Sequence, residues 1–526
     1  MKKLMILLLS FCMLLTLACA EAPAETVIIL GDVITVNGEA ITADASAPVY
    51  LARVVEVHGD VPAELAGLEN RVMTIADGGV YRISGTATDV QIAVRADETD
   101  EVRLILDGVD VTCRTSSAIA VYSAMDPRNA GAYGVTIALA AGSDNRVTGS
   151  HTVRIQETDT KLDGAICSLV SLGFEGAGSL NVEADNEGVE VKFGHMTING
   201  GVFRITAGDD PLNVSEDGVG VLTMTDGYDY SAVRNAAGGE GDGIDSNGWI
   251  VFNGGTAINL AHPTSQDGGI DSDMGSTING GVIVGAGNMY DPIEADSAQL
   301  FMMLEFSEST DDLLVVTDAA GQPVFAYDFP YDYMYIAFST PDLVEGAVYH
   351  VYLGGEIAGE QQDGLYTAIT SYVPGRQLVH GAGVAEQRMP GFGGWMPEGM
   401  QPPEGFDPAQ GGRMPEGMQP PEGFDPAQSG RTPEGMQPPE GFDPAQGGQM
   451  PEGMQPPEGF DPAQGGQMPE GMQFPEGFDP TQGGQMPEGF TPPMGMPPSM
   501  TSSADVATGD FVLTRETCTF SNLTVK

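Results

Sequence analysis

The chain has 526 residues, with 74 Asp or Glu against 21 Lys or Arg and a net charge of −53. That balance argues against nucleic acid and anionic lipid as partners, because both are held by cationic patches, and it permits cation binding. With 41% hydrophobic residues the chain can bury a sizeable core, and its length leaves room for two or three domains.

The first residues read Met1-Lys2-Lys3, an apolar run from 4 to 17, then Ala18-Cys19-Ala20. A basic start, a short apolar stretch and a small-x-small site make residues 1–20 a secretory signal, so a secreted protein is expected. Lipid attachment at Cys19 is the alternative, giving a cell-surface lipoprotein. No later segment is apolar enough to cross a bilayer. Cys113, Cys167 and Cys518 lie beyond the signal. With no CxxC and no Cys/His cluster, they read as buried small residues with one optional bridge, and zinc is not expected.

From residue 21 to about 297 helical periodicity is nearly absent. Short β-branched runs, such as 26–30, 102–106, 135–139 and 202–206, alternate with Gly, Asn and Asp, the pattern of an all-β fold with many turns. One six-residue segment recurs. Its aliphatic residue falls at Ile166, Val189, Leu212, Ile244, Ile270 and Ile293, in steps of 23, 23, 32, 26 and 23. The long step is assigned an insertion at 228–241. Between these segments Asn-Gly-Gly recurs at 199–201, 253–255 and 279–281, supplying the positive φ angles of a tight corner. A period near 23 predicts one coil of a solenoid per repeat, hence a right-handed parallel β-helix with an N-terminal cap over residues 21–297.

Residues 298–385 alternate apolar and polar with aromatics and predict a small β domain. Residues 386–505 carry an 18-residue unit starting at 396, 414, 432, 450, 468 and 486. This unit is too rich in Pro and Gly to pack, and the expectation is disorder. Residues 506–526 are strand-like again and are expected to complete the small domain.

Stacking the repeats turns them into columns. The residue after the aliphatic one reads Cys167, Glu190, Asn213, Asp245, Asp271, Glu294, and two further on Leu169, Lys192, Ser215, Asn247, Asp273, Asp296. Asp242 and Asp267 flank them at the corners. Carboxylates on rungs about 4.8 Å apart repel by about 3.5 kcal/mol at an effective dielectric of 20. A divalent cation removes that cost. Calcium suits an all-oxygen set with loose geometry, and the lack of His and Cys disfavours transition metals. The candidate ligands are therefore Glu190, Asn213, Asp242, Asp245, Asn247, Asp267, Asp271, Asp273, Glu294 and Asp296. A solvated acidic face is the plainer alternative.

Several ordered motifs carry a family resemblance. They are Gly79-Val80-Tyr81-Arg82-Ile83-Ser84-Gly85-Thr86, Leu104-Ile105-Leu106-Asp107-Gly108-Val109, Gly142-Ser143-Asp144-Asn145, Asp242-Gly243-Ile244-Asp245-Ser246-Asn247-Gly248, the Asn-Gly-Gly corners and Tyr352-Leu353-Gly354-Gly355. Through them most of residues 27–385 and the last strands resemble the carbohydrate-binding parallel β-helix proteins of cellulose-degrading clostridia. The resemblance implies a pectate-lyase-like fold, bound calcium, and binding of cellulose or acidic pectic polysaccharide without catalysis. Trp249, Tyr228, Tyr230 and Tyr290 are then candidates to stack on sugar rings. Two other functions compete. A polysaccharide lyase needs a base beside the metal, and Lys192 is the candidate, ahead of Arg234 and His262. A surface structural or adhesive protein would need no glycan.

Overall fold

The computed structural model describes residues 24–55, 62–154, 160–380 and 508–526. The expected signal at 1–20 and the 18-residue units at 386–505 lie outside them.

Among the described residues every element is a strand. Eight form one sheet, in the order Val49–Val55, Glu69–Ile75, Val90–Arg95, Ile119–Ser123, Gly164–Ser168, Glu187–Val191, Leu212–Val214 and Asp245–Ser246. Neighbours are parallel except the first pair. The pairing follows the repeat read from the sequence: Ile166 lies beside Val189 and Val189 beside Leu212. One residue on, Cys167, Glu190, Asn213 and Asp245 form a continuous column. The aliphatic row is the reason for the register, since Ile166, Val189, Leu212, Ile244, Ile270 and Ile293 are all buried in one apolar cluster. A slip by one residue would turn that row to the other face.

A 23-stranded sheet holds most of the remaining strands. Its parallel part runs from Glu25–Leu30 through Gly79–Thr88 and Val102–Thr112 to His195–Ala207, Val221–Val233 and Val282–Gly287. The architecture differs here from the expected right-handed parallel β-helix with a separate small domain. Val102–Thr112 pairs along its length with both Val135–Leu139 and Asp144–Gly149. These pair with Leu172–Gly176 and Ser179–Ala184, and both of those pair with His195–Ala207. The parallel pairings therefore close a six-strand, barrel-like ring. The same sheet then turns antiparallel where Val282–Gly287 meets Tyr333–Ser339, and it continues without a break into the C-terminal strands. The all-β class holds, and the assembly is mixed.

The insertion also shifts. Residues 228–233 are ladder strand, with Tyr228 beside Val202 and Val233 beside Ala207, so the extra residues follow Val233. His262, fully buried, receives them: its Nε2 lies 2.8 Å from the Ala236 carbonyl oxygen. At the Asn-Gly-Gly corners the backbones stack closely. Gly281 has φ 97°, and a Cβ there would stand 2.7 Å from the Gly255 carbonyl oxygen, so only glycine fits.

In the C-terminal part, Phe301–Thr310 pairs antiparallel with Tyr333–Ser339 and parallel with Thr519–Val525. A second apolar cluster forms around Phe325, Phe338, Tyr327, Phe511 and Phe520. The long hairpin of Val348–Gln362 and Leu365–Val379 turns at Asp363 and Gly364, both in the left-handed region. The Asp363 carboxylate at its tip accepts hydrogen bonds from Arg204 at 2.7 Å and the Tyr228 hydroxyl at 2.8 Å, fastening the hairpin to the parallel ladders. No disulfide joins Cys113, Cys167 or Cys518 among the described residues.

Candidate functional site

The repeat register brings acidic residues into a belt along the eight-stranded sheet. At its densest point one oxygen each of Asp242, Asp245 and Asp271 lies within 4.8 Å of the others. Strand Asp245–Ser246 sets Asp245. Asp271 is set by two backbone bonds, its own N–H to the Ile244 carbonyl at 2.9 Å and the Ser246 N–H to its carbonyl at 3.2 Å. The corners are pinned reciprocally, since Gly268 N–H donates to Asp242 at 2.6 Å and Gly241 N–H donates to Asp267 at 2.6 Å.

The three carboxyls are costly to ionise together. Burial, then the neighbouring Asp271 and Asp210, push Asp242 up to about 9. Burial and Asp271 push Asp245 up to about 8. Burial and a hydrogen bond from Asp291 push Asp271 up to about 7. A bound cation reverses this balance, because its charge favours the ionised form of every ligand. The donor set is all oxygen and half-buried, which fits a hard cation such as calcium.

The belt extends beyond the residues singled out from the sequence. Asp210 accepts from the Asp242 N–H at 2.7 Å, and Asp291 accepts from the Ser272 N–H at 3.1 Å. Glu187, almost fully buried, is pushed well above the usual carboxylate range by burial and by Asp210, and its Oε2 has no hydrogen-bond partner. Glu187, Asp210 and Asp291 stand two residues before the aliphatic row at Val189, Leu212 and Ile293, as the expected ligand Asp242 does before Ile244. The same alignment could have named them.

Other expected ligands sit apart from the trio. Asn213 is buried and points to Asp210 at 3.4 Å, while Asn247 donates to Asp217 at 2.8 Å. Asp273 is exposed, with its carboxyl raised by partial burial and by Asp271. Glu294 folds over Gly275 toward Trp249, and Asp296 is exposed. Glu190 is buried under Lys192, whose ammonium pairs with it and with Asp163 at 2.7 Å. Burial opposes the lysine charge, but Glu190 and Asp163 outweigh it and hold its pKa above the ordinary value. A lysine so held is a counter-ion and a poor base.

The aromatic candidates are divided between surfaces. Tyr228 and Tyr230 pack against the second apolar cluster, beneath the hairpin tip. Tyr290 packs against Tyr335, with ring centroids 5.1 Å apart. Trp249 is half-buried, beside Val221 on one neighbouring strand and Gly275 on the other.

The belt lies inside a recognisable segment. Residues 69–299 match the family model described as carbohydrate-binding domain-containing protein. A protein of Acetivibrio thermocellus with the same description is 32% identical over 142 residues, or 27% of this chain. The chain spans about half of that relative's length, 46%. Among solved structures, the polysaccharide lyase-like protein from C. thermocellum in its gadolinium derivative has a TM-score of 0.33 and 22% identity, covering 49% of this chain and 94% of that one.

Proposed function

We propose that this chain is an exported, calcium-dependent polysaccharide-binding protein that attaches to acidic plant cell-wall glycan and does not cleave it. The observation that carries the reading is the meeting of Asp242, Asp245 and Asp271 within the segment that matches a carbohydrate-binding family. Calcium held by those carboxylates would leave coordination positions open toward solvent, and a uronate carboxylate is the ligand class that such an ion takes. The metal would also remove the repulsion that a polyanion meets on a chain with a net charge of −53. Lys192, committed to Glu190 and Asp163, argues against proton abstraction at the site. Export rests on the leader-like residues 1–20, with Cys19 offering a lipid tether to the cell surface.

The test is calorimetric titration of the full chain with polygalacturonate in calcium and then in chelator, with ultraviolet absorbance recorded for unsaturated product. Binding that needs calcium and yields no product is expected. Product that disappears in Lys192→Ala would establish a lyase instead. Binding indifferent to chelator would remove the metal from the mechanism.

A further inference from the structure

A second concavity, unlike the carboxylate belt, brings arginines and acids together. It encloses about 230 Å3 and is lined by Arg114, His151, Glu183, Asp185 and Arg234, with Thr148 among the remaining residues. Its acids are already engaged. Glu183 pairs with Arg146 at 3.1 Å, while Asp185 takes His151 Nδ1 on one oxygen and the Ser150 hydroxyl on the other at 2.7 Å. Arg114 is held by both oxygens of Asp89, at 2.8 and 2.6 Å. Arg234 is different. It follows strand Val221–Val233 directly, is exposed, and donates to the Ala184 carbonyl at 2.8 Å. It makes no ion pair among the described residues, so its guanidinium is the cation of this hollow that no carboxylate holds.

The wall is built to hold its shape. Ser150 is fully buried with φ 100°, a conformation that a side-chain-bearing residue rarely adopts. Its hydroxyl accepts from the N–H groups of Asp185 at 3.0 Å and Asn186 at 2.9 Å while donating to the Asp185 carboxylate. The strained turn thus fixes Asp185, and Asp185 takes Nδ1 of the imidazole. With Nδ1–H donating to Asp185, Nε2 of the neutral ring is an acceptor that suits a sugar hydroxyl.

We infer that this concavity is a subsite for one uronate ring of an acidic glycan, its carboxylate taken by the Arg234 guanidinium. The inference rests on the polysaccharide reading above and adds to it a second contact that needs no metal. A planar guanidinium matches a carboxylate with two parallel hydrogen bonds. The volume is below the roughly 300–1,000 Å3 of sites for drug-sized ligands, which suits a single ring. On a strongly acidic chain, this local cation lets a sugar carboxylate dock without a bridging metal, so the subsite and the belt differ in their need for calcium.

The test uses the full chain, trigalacturonate and its fully methyl-esterified counterpart, titrated by calorimetry in calcium and in chelator. Arg234→Ala is expected to weaken trigalacturonate binding about tenfold, leave the ester unaffected, and lose part of that effect in Arg234→Lys. Arg234 is exposed, and melting curves of both variants verify the fold. Equal affinity of the Arg234→Ala and unmodified chains overturns the subsite while the metal-bridged reading stands. An equal loss for acid and ester overturns the charge recognition. No trigalacturonate binding by the unmodified chain, even in calcium, overturns both the subsite and the polysaccharide reading for uronates.

Discussion

Asp245 stands at the centre of the acidic trio, and its two effects have opposite sign. Without metal, burial and Asp271 hold its carboxyl up at about 8, so ionising it costs stability. With metal it is a ligand. Asp245→Asn should therefore raise the melting temperature of the chelator-treated protein and shrink the further rise that calcium produces. Melting curves of both proteins in both solutions check this, and a variant that melted lower in chelator would show that Asp245 is not under repulsion. The residue columns were legible in the sequence because stacking repeats one position every 23 to 32 residues. Asp210, Glu187 and Asp291 share that logic and were passed over, because their column is interrupted by Gly164 and Gly268.

At the level of strands and corners, two substitutions probe what holds the ladders in register. Gly281→Ala places a Cβ 2.7 Å from the Gly255 carbonyl oxygen at φ 97°. It should cost about 1–3 kcal/mol in chemical denaturation. Asp229 is buried in the parallel ladder, where burial pushes its carboxyl up to about 7 against the hydrogen bonds of Ser231 and Asn259. The unfolded chain ionises it near 3.8, so the folded state holds the proton more tightly. Its stabilising share is complete below that lower value and is lost as pH rises through about 7, at up to about 1.4 kcal/mol per pH unit. Asp229→Asn should flatten the fall in stability between pH 4 and 7, read from denaturation midpoints. The strands and the buried aliphatic row were legible from alternation and period. The six-strand closure was not, because it depends on long strands such as His195–Ala207 pairing with two partners across an irregularity between Ile198 and Val202. Neither was the bond from Arg204 to Asp363, which spans 159 residues.

The C-terminal strands depend on the last residues of the chain. Phe511, Leu513, Phe520 and Leu523 are buried in the second cluster, and Thr519–Val525 pairs with both Phe301–Thr310 and Leu365–Val379. Each such side chain contributes about 1.5–3 kcal/mol by burial. A chain ending at residue 505 should therefore expose residues 298–380 to protease while the ladders of 69–287 resist, which limited proteolysis with mass spectrometry would read. A truncated chain cut no faster than the parent would contradict this account. The mixed assembly escaped sequence reading for a related reason: pairings between residues about 200 apart, such as Met303 with Thr519, leave no periodic trace.

One small bridge ties this together. His380 and Thr508 exchange both backbone hydrogen bonds, at 2.9 and 3.0 Å, so the chain leaves the strands and re-enters them at one doorway. Whatever lies between those two residues is a cassette, inserted at a single address. A change in the number of 18-residue units leaves the His380–Thr508 bridge able to close as it does here. Natural variants of this chain should accordingly differ in whole units at that address while the carboxylates and the ladders keep their spacing.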